Sequence, residues 1–81
     1  MIIFVTPNEF EPEFQNFKVR NISDIHIDYY TNAIHGYFEN KEIILVEFKK
    51  FGVQLDNRMN GYTSSVGEAG LIIDIKENIE K

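Results

Sequence analysis

The sequence predicts a mainly β fold, as a single small antiparallel sheet that is strongly bent or closed into a small barrel. Apolar and polar residues alternate with period two in several segments, and turn-forming residues separate those segments. No stretch keeps a helical period over three turns. A bent or closed sheet is the economical arrangement, because closure removes strand edges that would otherwise pair with other chains. The alternative is an α+β fold with one helix within residues 56–81.

Met1 to Val5 is a β-branched apolar run about one strand long. Its apolarity on both faces predicts a strand covered on both sides or lying in mid-sheet. Pro7-Asn8-Glu9-Phe10-Glu11-Pro12-Glu13 follows, where two prolines forbid continuous pairing and leave a loop carrying three glutamates. Phe17, Val19 and Asn21 then share one strand face, with Lys18 and Arg20 opposite. The alternation is stronger over 24–29: Ile25, Ile27 and Tyr29 point one way, Asp24, His26 and Asp28 the other. Thr31-Asn32 forms a turn, Ile34 to Glu39 a strand, and Asn40-Lys41 a two-residue hairpin loop. Glu42 to Phe48 is the most apolar strand and belongs in the centre of the sheet. Beyond Lys49-Lys50, Phe51, Val53 and Leu55 alternate again, and Gly52 permits either a bulge or a bend. Asp56 to Gly70 is the long polar loop, and Leu71 to Ile75 the last strand, with a frayed tail from Glu77. Residues 71–75 also carry a stripe with Ile79 that would suit a helix; the β-branched content favours the strand.

Length allows one domain over residues 1–81, since 9.5 kDa of chain leaves room for one core and little more. The 43% hydrophobic content argues against disorder. Thirteen acidic against eight basic residues give a net charge of −5, which opposes non-specific binding to nucleic acid or to anionic membranes. Without cysteine there is no disulfide framework and no thiolate chemistry. The apolar start lacks a basic flank and is too short for a signal peptide or a membrane span, so a cytoplasmic location with no membrane attachment is expected. The Asn21-Ile22-Ser23 sequon is then idle. Abundant Ile, Asn and Lys beside two alanines suit an AT-rich coding sequence of bacterial or phage kind.

Asp24-Ile25-His26 resembles the first metal-binding motif, Asp-x-His, of calcineurin-like metallophosphoesterases. The Gly-Asp and Gly-Asn-His motifs of that family are missing, and the chain is far shorter, so no membership follows. A looser arrangement places Asp24, His26 and Asp28 on one strand face with His35 approaching from a neighbour, a donor set suited to Zn²⁺, Mn²⁺ or Fe²⁺. The solvent face of a sheet is the simpler account of these residues, and no metal or cofactor is assigned. Thr63-Ser64-Ser65-Val66-Gly67 approximates a nucleophile elbow, but Thr63 stands where a glycine is needed, and no phosphate-binding loop is present. No catalytic residue is expected and the protein is read as a non-enzyme.

What remains is recognition. Tyr30, Tyr37, Tyr62 and Arg58 are residue types enriched at interface hot spots, and the 56–70 loop offers adaptable polar contacts. The predicted function is a small acidic protein-interaction module: a binder, inhibitor or adaptor of a larger and basic protein. Glu9, Glu11 and Glu13 could steer such a partner by charge. A homodimer is the allied arrangement, through Phe51-Val53-Leu55 or an unpaired strand. The rival is a nucleic-acid-binding barrel using Tyr29, Tyr30, Tyr37, Phe38 and Tyr62, for which basic residues are few and scattered. A metal-dependent enzyme built on Asp24, His26 and Asp28 is a weaker third.

Overall fold

The computed structural model of the chain describes residues 1–16, 21–55 and 59–77. The strand expected around Phe17 and Val19, and with it Arg58, lies outside these residues. Among the described residues six strands run in chain order: β1 (Ile2–Val5), β2 (Ser23–Asp28), β3 (Ala33–Phe38), β4 (Lys41–Glu47), β5 (Met59–Gly67) and β6 (Gly70–Glu77). They form two three-stranded antiparallel sheets, ordered β1-β6-β5 and β2-β3-β4. The fold is therefore mainly β, but as two sheets instead of one, and they do not close into a barrel. Among the described residues there is no α-helix; 3₁₀ turns occur at Pro7–Glu9, Pro12–Phe14 and Phe48–Phe51.

The β5–β6 hairpin corrects one expectation and bears out another. Residues 59–67 are strand and not loop, and the last segment is the expected strand, not the alternative helix. Gly67 pairs with Gly70 across the two-residue turn Glu68-Ala69. Thr63 to Gly67 are all exposed, so no apolar alternation marks this edge strand. It is held by its backbone ladder to the strongly apolar β6.

One hydrophobic cluster draws on both sheets. β1 gives Ile3 and Val5, β6 gives Leu71, Ile73 and Ile75, and the other sheet gives Ile27, Ile34, Leu45 and Val46. Phe10, Ile22, Phe48 and Leu55 complete it from the connections. Each fully buried apolar side chain contributes about 1.5–3 kcal/mol.

Two strands sit where their apolarity did not place them. β4 is an edge strand and β3 is central. A register shift between Ile34 and His35 leaves Leu45 as the extra residue on β4, so Leu45 and Val46 are both buried while Ile44 faces outward. The bulge thus makes an edge strand look two-sided. β1 is also at an edge, and its outer face is bare: Ile2 is 72% and Phe4 50% exposed, with Ile72 opposite Phe4 on the same face.

The turns follow backbone chemistry. The β3–β4 loop is Glu39-Asn40, one residue earlier than expected, with φ of 52° and 67° and Phe38 paired with Lys41. Two positive φ values are what a hairpin loop matched to strand twist requires. Asn32 (φ 55°) closes the turn between β2 and β3, and its amide clamps a distant segment. Its Nδ2 donates to the Val53 carbonyl (3.1 Å) and its Oδ1 accepts from the Leu55 N–H (2.8 Å). Residues 51–55 therefore form neither a bulge nor a new strand. The chain leaves β4 through the Phe48–Phe51 turn, capped by Gly52 at φ 70°.

Both edges of the β2-β3-β4 sheet are blunted. The Glu11 N–H donates to the Leu45 carbonyl at the β4 bulge (2.8 Å). On the β2 side the Ile27 N–H donates to the Tyr62 hydroxyl oxygen (3.1 Å), which ties β5 to the opposite sheet. Tyr62→Phe keeps the ring and leaves that N–H without a partner. The expected cost is about 1–3 kcal/mol, read as a lowered thermal midpoint; an unchanged midpoint would mean that water replaces the hydroxyl.

Candidate functional site

The outer face of the β2-β3-β4 sheet carries the polar chemistry of the chain. Antiparallel register sets His26 opposite His35, His35 opposite Ile44, and Tyr37 opposite Glu42. Glu42 is thereby the diagonal neighbour of His35, within side-chain reach. Its Oε2 lies 2.9 Å from His35 Nδ1 and 3.4 Å from His26 Nε2. One ligand atom from each of His26, His35 and Glu42 lies within 4.8 Å of the others.

The far nitrogen of each ring is also engaged. His26 Nδ1 is 2.7 Å from the Asp24 carbonyl, which can only accept, so Nδ1 carries a proton. His35 Nε2 is 2.8 Å from Thr31 Oγ1, with Asp28 Oδ2 at 3.9 Å. His35 is 7% exposed, and the Thr31 and Glu42 contacts satisfy both of its nitrogens.

Asp24 and Asp28 take other roles from those the alternation suggested. Asp24 sits at the β2 bulge with φ 51° and presents its carbonyl to His26. Asp28 Oδ1 accepts the Tyr30 N–H (2.9 Å) and holds the turn. Of Asp24, His26, Asp28 and His35, the two histidines converge and the aspartates do not; Glu42, which the alternation does not mark, replaces them. The signal for it was the hairpin register. With Asn40-Lys41 as the loop, Glu42 would share the histidine face but stand opposite Glu39; the Glu39-Asn40 loop slides it two residues, opposite Tyr37 and diagonal to His35.

A second feature adjoins this face. A shallow groove of about 490 Å³ runs between the Pro12–Phe14 turn and β4. Phe14, Ile43 and Ile44 form its apolar part, and Glu11, Glu13, Glu42 and Glu47 supply carboxylates. Glu47 is met by Lys49 Nζ at 3.1 Å. The groove exists because the two prolines turn the 7–14 segment back over β4, where Phe10 enters the core.

The tyrosines expected to share a surface are dispersed. Tyr30 is 87% exposed in the β2–β3 turn and stacks on Tyr29 with ring centroids 4.7 Å apart. Hydrogen bonding to Tyr30, then its charge, burial and Asp28, raise the Tyr29 hydroxyl above the ordinary tyrosine range. Tyr37 lies at the other end of β3, near His26 (6.5 Å between centroids). From Ala33 to Tyr37 the strand runs about 13 Å. Tyr62 is half-buried between the sheets, and Arg58 is outside the described residues.

No protein-family model, no curated protein and no solved structure matches this chain.

Proposed function

We propose that the chain is a protein-interaction module that receives a basic, partly apolar segment of another protein in the groove beside β4. The observation that carries this is the groove's composition: an apolar strip of Phe14, Ile43 and Ile44 flanked by Glu11, Glu13, Glu42 and Glu47. Apolar contact gives such a complex its lifetime, whereas flanking charge steers encounter and excludes acidic competitors. A chain of net charge −5 adds long-range attraction for a basic partner and repulsion for nucleic acid. The action is occupancy of a partner's surface, as binder, inhibitor or adaptor, without turnover. The groove takes over the contact role first given to Tyr30, Tyr37, Arg58 and Tyr62.

A fluorescent peptide alternating lysine with leucine tests this, with a glutamate–leucine peptide as control and chelator present throughout. The lysine peptide is expected to bind, with an association rate that falls steeply as salt rises. Glu11→Lys with Glu13→Lys should slow association by about 10–100-fold and flatten the salt dependence. Fold is preserved because the Glu11 contact to β4 is made by its backbone. Equal binding of both peptides, or no response to charge reversal, overturns the proposal.

A further inference from the structure

The geometry points to a transition-metal site at His26, His35 and Glu42, a two-imidazole, one-carboxylate set suited to Zn²⁺ or Co²⁺. Convergence of three donors is the first ground: one ligand atom of each lies within 4.8 Å of the others. Borderline nitrogen and oxygen donors in this number are a common zinc environment, with a coordination position left for water or a partner's ligand.

The surrounding contacts are the second, independent ground. Metal-bound histidines almost always have their other ring nitrogen held by an oxygen. Both rings here do. His26 Nδ1–H donates to the Asp24 carbonyl at 2.7 Å, which leaves Nε2 with its lone pair aimed at Glu42 Oε2, 3.4 Å away. Two electron-rich atoms then face each other, and only a cation between them, a second ring proton or a metal ion, makes that contact favourable. For His35 the Thr31 hydroxyl serves either form. It donates to Nε2 when Nδ1–H is bonded to Glu42. When a metal takes Nδ1, it accepts from Nε2–H and turns its own proton to the Asp28 carbonyl, 3.3 Å away. His35 can thus exchange tautomer without stranding a polar atom.

The site is separate from the groove proposal except for Glu42, which lies at both. Its test needs no peptide and is not affected if the groove binds nothing. The chelator-treated full chain is titrated with Co²⁺ and with Zn²⁺. One ion per chain is expected, with the visible absorption of a nitrogen–oxygen Co²⁺ site. His26→Ala and Glu42→Gln should each abolish that absorption, and Thr31→Val should weaken binding about 10–100-fold through loss of the outer contact. The two histidines are the only ones in the chain, so imidazole ¹⁵N correlation spectra of the unmodified protein read the site directly even if a variant fails to fold. On Zn²⁺ addition, His26 Nε2 and His35 Nδ1 should shift together. Absence of saturable binding at one ion per chain, binding that survives His26→Ala and Glu42→Gln, or unmoved imidazole signals each overturn the assignment.

Discussion

Gly70→Ala should leave little folded protein. Gly70 opens β6 at φ 147°, a backbone conformation that residues with a Cβ rarely adopt. A methyl group there would overlap the Val5 carbonyl oxygen and press on the Val5 carbonyl carbon (3.1 Å) and Thr6 Cα (3.2 Å). All of these are backbone atoms. They cannot yield without separating β1 from β6 where Val5 pairs with Leu71, and both side chains are buried at that pair. The expected cost is about 4 kcal/mol or more, at the diagnostic end of single substitutions. A domain of this length holds about 4–12 kcal/mol in all. Gly67→Ala, on the other side of the same turn, meets open space and should stay within about 0.5 kcal/mol. Urea denaturation followed by circular dichroism separates the two. Equal midpoints would show that β1 does not pack against Gly70 as described.

Phe10→Ala should be nearly as damaging, at about 3–5 kcal/mol, because a ring with no exposed surface is removed from the core. Phe10 follows the Pro7–Glu9 turn, its N–H donates to the Pro7 carbonyl (3.1 Å), and the next N–H donates to Leu45 (2.8 Å). Collapse around the cavity would have to pull that segment inward and break the Leu45 contact. Phe4→Ala is the matched control. Phe4 is half exposed, and its loss should cost about 1 kcal/mol or less. The same denaturation series gives both values, and a Phe10 effect as small as that of Phe4 would place the 7–14 segment off the core.

Phe10 shows where sequence patterning stops. Flanked by prolines and glutamates, it lies in no periodic run, and nothing local marks it as core. The alternation of residues 26–28 was legible because each side of β2 meets a different medium: Ile27 is buried, while His26 and Asp28 lie on the polar face. β5 was illegible for the converse reason. Its Thr63-Ser64-Ser65 run is exposed on both faces, so burial leaves no trace in its composition. β4 misled in the other direction, since a bulge lets one edge strand bury Leu45 and Val46 in succession.

The histidine site divides in the same way. His26 and His35 were visible as polar positions on predicted strands, but the approach of Glu42 depends on the hairpin register, and moving that loop by one residue slides every following pair by two. Asp24 and Asp28, the natural choices from spacing, were lost to a bulge and a turn that bond them locally.

A mainly β, antiparallel chain with hairpin turns at Asn32 and near Asn40 is readable from the residues alone, because strand periodicity and left-handed turn residues are local properties. Long-range packing instead makes two sheets and not one bent sheet, puts β3 at the centre with β1 and β4 at edges, and draws Phe10 into the core. The same is true of the meeting of Glu42 with two histidines. These are contacts between residues distant along the chain. Register, bulges and packing set them, and none of the three is written in the alternation of neighbouring residues.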